Sequence, residues 1–338
     1  MMPDSLSISI CIATHERSRL LVSTLDAIAK QVRLPDEIVV SDSSQTDQTR
    51  QVVIAFQEMN PYLQLKYVPS ECRALPWHRW NGFQHSTGQI VFFMDDDIIL
   101  MPEALQMLER AYQNLFTQQD RQAIGGVGFY LILDDGSEKL RSRTSFEERW
   151  LGIATLPSAS ITSGGLGVPA KSMPSGILVE VGRLSGGCMS YRREVLEKIG
   201  LLDGLVDLFV RRIGPSEDAV LSHYARQEGK LFMVTHSLAI HPSGDNAVHT
   251  VDAGNGWYKG MTETWGRAHT MRWMSSDAKA YRRQWLRVST LEILRAVWWG
   301  ILRKPFSGGS WSRLAGGLYG FLLAIWKWKA IPPSARSS

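Results

Sequence analysis

Three consecutive aspartates, Asp95, Asp96 and Asp97, follow an apolar stretch of the 338-residue sequence that runs from residue 88 to residue 94. Adjacent carboxylates repel one another, so their charged forms are favoured where a cation lies close by. Alternate residues of an extended chain point the same way, which predicts that Asp95 and Asp97 face one side together. Such a pair suits Mg2+ or Mn2+, which bind few protein oxygens and complete their shell with substrate phosphates.

Two other interpretations of these aspartates stay open at this point. A solvated acidic turn has the same composition and needs no ligand. A phosphatase with an aspartyl nucleophile also carries an Asp-x-Asp pattern after a strand, but Ile98 and Ile99 stand where such sites have Gly or Thr. The motif also follows the fourth predicted strand, whereas the phosphatase pattern follows the first.

Strand and helix patterns alternate along the first hundred residues and determine where the aspartates lie. Short apolar runs indicate strands, and apolar residues at helical spacing indicate helices. Their alternation with short links predicts an α/β fold with a doubly wound, mostly parallel sheet. Ligands of such sheets bind beyond the carboxyl ends of the strands, where the polar clusters at 14–17, 41–47 and 95–97 fall. Strands are predicted at residues 7–13, 37–40, 65–68 and 88–94, and helices at 20–32, 46–59 and 77–86.

The pattern changes after residue 123. Residues 157–187 are rich in Gly, Ser and Pro, which predicts a long mobile loop. A second helix–strand series surrounds this loop, with strands at 125–133, 230–235 and 238–241 and helices at 193–199 and from about residue 216 onward.

The amino-acid composition limits the classes of protein to which the chain can belong. Hydrophobic residues make up 44% of the chain and charged residues 21%, which provides for a core and excludes wholesale disorder. The three cysteines form no CxxC pair, which argues against a disulfide framework or a cysteine-based zinc site and favours a reducing compartment. No uncharged apolar run reaches the length of about 18 residues that predicts a membrane span. The N-terminus lacks the cationic leader of a signal peptide, and no nucleic-acid-binding motif is present.

The ordered motifs resemble those of the family 2 glycosyltransferases, which are inverting enzymes with the GT-A fold. The likeness extends over residues 7–102 and again over about 186–241. The matching segments are Ala13–Arg17 and Val39–Asp47 for two nucleotide-binding turns, Arg79–Gly82 for an Arg-Asn-x-Gly helix, Phe93–Asp97 for the DxD motif, Gly187–Asp203 for an acceptor-side segment, Glu217–Asp218 for a Glu-Asp pair, and His241 for a strand-end histidine.

The resemblance implies a site for a nucleotide-diphosphate sugar. It implies that Asp42 contacts the base, that Thr14 and Glu16 line the base pocket, and that Asp95 reaches the ribose. It also implies that Asp97, together with Asp95, holds the Mn2+ or Mg2+ that bridges the diphosphate. The full set that it assigns to the donor is Thr14, His15, Glu16, Arg17, Asp42, Arg79, Asp95 and Asp96.

Three residues depart from the family pattern. His15 stands where Tyr is usual, Glu16 where Asn is usual, and Trp80 where Asn follows the arginine. These departures leave the identity of the base and of the sugar open. Ordinary turn and capping chemistry remains the alternative for Thr14 and Asp42.

On the acceptor side, the resemblance points to Asp218 as the general base. Sugar transfer with inversion needs a carboxylate that takes the proton of the acceptor hydroxyl. Glu217 is then an acceptor ligand or a strut, while the alternative for Ser216 and Asp218 is the capping of a helix. His241 is a candidate metal ligand, or else a hydrogen-bonded histidine at a strand end.

The C-terminal region is basic and rich in tryptophan. Residues 279–338 carry a net charge of +10, against −6 for the rest of the chain, and hold six of the twelve tryptophans. Residues 314–326 are uncharged but too few to span a bilayer, which suits an interfacial helix. Because Trp favours the headgroup region and Lys and Arg favour anionic lipid, we predict a cytoplasmic protein bound peripherally to the inner face of the cell membrane. The alternative is a helical cap with tryptophan in its core.

These inferences combine into one predicted function and domain plan. Residues 1–245 form a GT-A domain, with a Rossmann-like nucleotide-sugar half (1–102) and an acceptor half (103–245), and residues 246–338 form a helical membrane-associating region. The predicted activity is metal-dependent, inverting transfer of a sugar from a nucleotide diphosphate to a hydroxyl of a glycan or lipid-linked acceptor, in polysaccharide biosynthesis. Two alternatives are a synthase that glycosylates a polyprenyl phosphate and a catalytically inactive, nucleotide-binding membrane scaffold.

Overall fold

The strands of the chain form one mixed sheet with helices packed on it. The computed structural model describes residues 5–133, 145–151, 178–214, 216–242, 256–275, 278–298 and 308–336. Its first elements are β1 (Ile8–Thr14), α1 (Ser18–Ala29), β2 (Glu37–Asp42), α2 (Gln48–Met59), β3 (Leu65–Pro69), α3 (Leu75–His85) and β4 (Ile90–Asp95). They are followed by β5 (Ile99–Leu100), α4 (Ala104–Gln118), β6 (Ile124–Leu133), α5 (Ser145–Trp150), β7 (Leu178–Val181), β8 (Cys188–Arg192), α6 (Arg193–Ile199), α7 (Asp203–Val210), α8 (Glu217–Glu228) and β9 (Lys230–His241). The last elements are α9 (Gly256–Met261), a π-helical turn (Thr262–Gly266), α10 (Arg267–Met274), α11 (Ala278–Ala296) and α12 (Gly308–Trp326).

The strand order is β3-β2-β1-β4-β8-β6-β9-β5, and β7 also pairs with β9. The four strands from β3 to β4 are parallel, as predicted, whereas β8 is antiparallel to both of its neighbours. The α/β class and the strand–helix alternation of the first hundred residues are therefore confirmed.

Alternation along β1 explains why helices cover both faces of the sheet. Ile8, Ile10 and Ile12 lie in one buried cluster with apolar residues of α1 and α4. Cys11, which points to the other face, contacts α3, where a Cβ added to Gly82 would lie 3.0 Å from the Cys11 Cβ. Successive side chains of a strand point to opposite faces, so one apolar strand supplies both layers of the core.

Register brings the carboxyl ends of three strands to one edge. Thr14 of β1 lies beside Asp42 of β2, and Ala13 lies beside Asp95 of β4. The polar turns that follow these strands therefore meet at the same edge of the sheet, where ligands of parallel α/β sheets bind.

A buried carboxylate ties the strands together at their amino ends. Glu37 accepts hydrogen bonds from the Ser9 hydroxyl at 2.6 Å, from Lys66 Nζ at 2.6 Å, and from the backbone and hydroxyl of Thr87. Burial alone would raise the pKa of Glu37, but these hydrogen bonds lower it to about 2. Glu37 is therefore ionised in the folded protein at neutral pH, and its carboxylate stabilises the sheet through these hydrogen bonds.

This arrangement predicts a pH-dependent loss of stability in Glu37→Gln. Because the folded pKa lies below the ordinary value for Glu, the stabilisation is present above about pH 4.5 and is lost as the pH falls toward about 2. Urea unfolding should show a deficit of about 2–3 kcal/mol at pH 7 that shrinks at about pH 3. Glu58→Gln, on the exposed side of α2, is the matched control with no deficit expected. A deficit of equal size at both pH values would contradict this account.

The chain forms two compact units. The first comprises the described parts of Met1–Leu140, Ser172–Leu201 and Leu221–Val248, and the second those of Arg141–Lys171, Leu202–Val220 and His249–Ser338. The boundary predicted at residue 245 between a transferase domain and a membrane-associating region stays a prediction, because a division into compact units does not test the function of either part.

The second unit is helical. Trp265, Trp273 and Trp285 are buried in it, whereas Trp311 and Trp326 are exposed. Among the described helices, α12 included, none combines the length and apolar content that a membrane crossing requires.

Several elements differ from the sequence-based predictions. Part of the predicted loop at 157–187 is strand β7, which pairs with the β9 residues Leu231–Val234, and residues 157–177 of that loop lie outside the described residues. The two strands predicted at 230–235 and 238–241 are one strand, β9, whose pairing with β6 shifts register twice around Tyr130. Helices α4 and α7 have no counterpart among the predictions.

Candidate active site

The acidic trio lies in a tight turn rather than in an extended chain. β4 ends at Asp95, and the Ile98 N–H donates to the Asp95 carbonyl at 3.3 Å. The extended backbone that the alternation argument assumed is therefore absent at Asp96 and Asp97, and the orientation of Asp95 and Asp97 to one side stays a prediction. In the turn, the three carboxylates instead take three different environments, which differ in exposure and in partners.

Asp96 is the interior member of the trio. Its side chain is 2% exposed and accepts a hydrogen bond from the Thr14 hydroxyl at 2.6 Å, and Arg17 contacts it at 3.0 Å. The Thr24 hydroxyl donates to the Asp96 carbonyl at 2.8 Å. Burial raises the pKa of Asp96 to about 7, although Arg17 and Thr14 favour its charged form. These contacts join the turn after β1 to the turn after β4.

Arg17 spans two of the three aspartates. One guanidinium nitrogen pairs with Asp96 and another donates to Asp97 Oδ2. Burial alone would lower the pKa of Arg17, but Asp96 and Asp97 together raise it. The guanidinium therefore compensates the negative charge of the turn.

Asp95 is held from the other side. Arg79, buried on α3, lies 3.3 Å from Asp95 Oδ1 and donates to the Gly186 carbonyl at 2.8 Å. A Cβ added to Gly187 would lie 3.5 Å from Asp95 Oδ2 and 3.0 Å from Leu131. Arg79 thus positions Asp95, and the small residue at 187 leaves room beside it.

Asp42 organises the turn after β2. Its Oδ1 accepts hydrogen bonds from the Ser44 N–H at 2.9 Å and the Ser44 hydroxyl at 2.6 Å, and its Oδ2 accepts one from the Tyr67 hydroxyl at 2.9 Å. Burial and the contact with Asp42 raise the pKa of Tyr67 to about 12. The turn chemistry considered as an alternative for Asp42 is therefore present.

Two histidines line the same turn. His78 on α3 contacts the Ser41 hydroxyl at 2.8 Å through Nδ1 and the Ser43 hydroxyl at 2.9 Å through Nε2. His15 Nδ1 lies 3.0 Å from the Ser43 carbonyl oxygen. Burial lowers the pKa of His78 to about 4, so its imidazole is neutral at pH 7 and both donates and accepts a hydrogen bond.

Glu16 links the turns after β1 and β2. Its backbone is left-handed, with φ of 54°, a conformation that costs a non-glycine residue energy and often occurs at functional sites. Its N–H donates to the Ser44 hydroxyl at 2.7 Å, and its carboxylate accepts from the Gln45 N–H at 2.6 Å. The side chain thus fixes the spacing of the two turns.

Asp97 and His241 offer donor atoms for a metal ion, and the participation of Asp95 beside them stays a prediction. Asp97 Oδ1 is buried and has no hydrogen-bond partner among the described residues. His241 Nε2 lies 3.9 Å from Asp97 Oδ2. Because His241 Nδ1 lies 2.9 Å from the Pro242 carbonyl, which only accepts, the neutral ring carries its proton on Nδ1 and leaves Nε2 free. Within the described ranges, no group of three or more His, Cys, Asp or Glu is arranged to hold a metal.

Glu217 and Asp218 begin α8, in residues assigned to the second unit. Ser216, just before the helix, has a left-handed φ of 49°. Asp218 is 7% exposed, and its Oδ1 accepts a hydrogen bond from the Ala219 N–H at 2.8 Å. A local role at the start of the helix is thus observed, and the role of Asp218 as a base stays a prediction.

The structure adds residues that the sequence analysis did not select. His78 and Tyr67 contact the turn after β2, and Thr24 contacts the acidic turn. The sequence offered one indication for His78, which directly precedes the selected residue Arg79 in the predicted helix. Nothing in the sequence indicated that Tyr67 and Thr24 belong to the site, because their partners Asp42 and Asp96 lie 25 and 72 residues away along the chain.

Comparison with known protein sequences gives a family. The model of glycosyl transferase family 2 matches residues 9–200, more than half of the chain. An uncharacterized glycosyltransferase of Nostoc sp. is 27% identical over 198 residues, which cover 59% of this chain. The match spans about half, 54%, of that relative's own length.

Two solved structures share the fold. GalNAc-T7, solved with UDP, GalNAc and Mn2+, aligns with a TM-score of 0.55 and 18% identity over 84% of this chain and 55% of its own. A mannosyltransferase of Pyrobaculum calidifontis, solved with GDP-mannose and Mn2+, aligns with a TM-score of 0.52 and 16% identity over 96% of this chain and 88% of its own. At these identities the likeness bears on the fold alone.

The predicted resemblance is therefore confirmed at the level of family and fold. The parallel strands β3-β2-β1-β4, the turns that meet at their carboxyl ends, and the family match over residues 9–200 agree with one another. The chain has the GT-A fold and belongs to the family 2 glycosyltransferases.

Proposed function

We propose that this protein transfers a sugar from a nucleotide-diphosphate donor to an acceptor hydroxyl, with inversion and with the help of a divalent cation. The observation that carries this proposal is the acidic turn after β4. It lies at the carboxyl edge of the sheet next to the turn that follows β1, which itself adjoins the turn that follows β2. It contains a buried carboxylate oxygen without a hydrogen-bond partner among the described residues.

The donor atoms at this turn fit Mn2+ or Mg2+. Asp97 offers a carboxylate oxygen and His241 offers Nε2, held in the right tautomer by the Pro242 carbonyl. Two protein ligands are enough for an ion whose remaining positions are filled by diphosphate oxygens and water. The bound cation supplies positive charge against the negative charge that develops on the leaving diphosphate. The two structural neighbours contain Mn2+ with UDP or a GDP sugar, which supports this assignment.

Residues around the turn have separate proposed roles. Asp42 accepts a hydrogen bond from the base, within a pocket bounded by His15, Thr14 and the neutral imidazole of His78. Asp95, positioned by Arg79, faces the ribose.

Arg17 and Asp96 complete the proposed donor site. Arg17 leaves Asp97 free for the cation when the donor binds and then faces the diphosphate oxygens. Asp96 acts as a buried support that keeps Arg17 and the turn in place.

We propose that the acceptor binds beside Asp218. We propose that the Asp218 carboxylate takes the hydroxyl proton as the new bond to the sugar forms, a contribution of about 10²–10⁴-fold to the rate. Glu217 is proposed to bind the acceptor or to support Asp218. The proposed acceptor is a glycan or a lipid-linked molecule, and the proposed context of the reaction is polysaccharide biosynthesis.

Thermal unfolding with a panel of nucleoside diphosphates tests the donor half of this proposal. Binding at 100 times the dissociation constant stabilises the folded state by about 2.7 kcal/mol. We expect one diphosphate to stabilise the protein more with Mn2+ than without it, and the corresponding monophosphate to stabilise it less. Turnover of the matching nucleotide sugar, with release of that diphosphate, would exclude an inactive scaffold. Absence of stabilisation by every diphosphate in the panel would contradict the proposal.

A further inference from the structure

The outward face of α12 is apolar along its whole length. Its exposed large side chains are Trp311, Leu318, Tyr319, Leu322, Ile325 and Trp326, with exposed fractions from 45% to 80%. No charged residue occurs between positions 314 and 326. A helix on the surface of a globular unit normally turns charged and polar residues outward, so this face is not an ordinary solvated one.

The opposite face of α12 is fixed by glycines. A Cβ added to Gly316 would lie 2.1 Å from the Trp257 carbonyl oxygen, and one added to Gly260 would lie 2.1 Å from the Arg313 carbonyl oxygen. Backbones that approach this closely leave no room to rotate the helix. The packing of α12 against α9 therefore fixes which side chains of α12 face outward. The apolar residues are exposed because of this packing and not because the helix is rotated away from its proper position.

Positive charge surrounds the exposed end of this helix. Lys327 Nζ lies 5.6 Å from the ring centre of Trp326, which is 80% exposed, and Arg282 Cζ lies 5.4 Å from that of Trp328. From residue 279 onward the sequence contains one acid, Glu292. Glu292 is 4% exposed and pairs with Arg295 at 3.1 Å, so it does not offset the charge at the surface.

These features identify the kind of partner. Apolar side chains with tryptophan and tyrosine, bordered by Lys and Arg, match the boundary between headgroups and acyl chains of an anionic bilayer. A second copy of the chain would bring the same positive border against itself, which disfavours self-association through this face. We propose that the outer face of α12 docks on an anionic phospholipid surface and lies in its plane, which brings the enzyme to a membrane. This proposal does not depend on the identity of the donor or of the acceptor.

Sedimentation of the full-length protein with vesicles tests the proposal. We expect binding to phosphatidylcholine vesicles that contain phosphatidylglycerol, weaker binding at high salt, and little binding to pure phosphatidylcholine. Leu322→Asp should lower the partition coefficient at least about tenfold, because it places a charge in the centre of the apolar face. The combined change Lys327→Glu and Lys329→Glu should also lower it at least about tenfold, from loss of attraction to the lipid.

The control is Met59→Asp on α2, whose side chain is 70% exposed, similar to the 64% of Leu322. It should bind vesicles as the unchanged protein does, and thermal unfolding of each variant checks that the fold is retained. Wild-type binding by Leu322→Asp, or equal binding to neutral and anionic vesicles, would overturn the proposal. A dimer in solution that Leu322→Asp dissociates would overturn it too, because a second copy would then occupy the face.

Discussion

Asp97→Asn is expected to lower kcat at least about 1,000-fold. Asparagine keeps the shape of the side chain but removes the charge that attracts the cation. Charge stabilisation by a bound divalent ion is worth several kcal/mol at the leaving group, and each 1.36 kcal/mol corresponds to tenfold in rate. Steady-state kinetics with the nucleotide sugar identified from the diphosphate panel measures the effect.

A second readout separates loss of the metal from loss of the fold. Binding of Mn2+ in the presence of the nucleoside diphosphate, followed by electron paramagnetic resonance of the free ion, should weaken at least about tenfold in Asp97→Asn. Asp26→Asn, which removes an exposed carboxylate from α1, should change neither kinetics nor Mn2+ binding. Wild-type affinity for Mn2+ in Asp97→Asn would show that this carboxylate is not a metal ligand.

Asp218→Asn is expected to lower kcat by about 10²–10⁴-fold while the nucleotide still binds. The amide cannot take the proton of the acceptor hydroxyl, so the transfer step loses its base. The contact from the Ala219 N–H can be kept by the asparagine oxygen, which makes this variant milder for the helix than alanine. Steady-state kinetics measures the loss of rate, and nucleotide-induced thermal stabilisation checks that the nucleotide still binds.

Glu217→Gln is the matched control for the base. Because Glu217 lies on the same turn of α8 and is proposed to bind the acceptor, this change should affect the KM for the acceptor more than kcat. Full activity in Asp218→Asn would exclude the base role. Such a result favours the alternative in which the acceptor is a polyprenyl phosphate, because a phosphate oxygen needs little help from a base.

The nucleotide half of the fold could be predicted because its signals are local. β1, β2 and β4 are short apolar runs that end in polar turns, and their carboxyl ends meet as the parallel-sheet rule requires. Helix α4 was missed although its buried residues Leu105, Leu108, Ala111, Tyr112 and Leu115 recur at helical spacing, so its signal was local and was not used. Strand β7 lies in a Gly- and Ser-rich stretch and is defined by its partner β9 rather than by its own pattern.

The contacts inside the candidate site could not be predicted. Arg17 pairs with Asp96 and Asp97 across 79 and 80 positions of the chain, a distance over which sequence periodicity carries no information. The turn that replaces the expected extended chain is held by the local hydrogen bond from Ile98 to Asp95 and by contacts from residues far away in the sequence, such as the one from the Thr24 hydroxyl to the Asp96 carbonyl. The motif located the carboxylates, and tertiary packing determined which of them is buried, which is paired, and which has a free oxygen.

The most direct test of the central claim is a crystal structure with the selected nucleotide sugar, or an inert analogue of it, and Mn2+ located by its anomalous scattering. We predict the ion at bonding distance, about 2 Å, from Asp97 and close to the donor diphosphate, with the Asp218 carboxylate facing the open side of the donor's anomeric carbon. An ion bound away from Asp97, or an Asp218 side chain directed away from the donor sugar, would contradict the account.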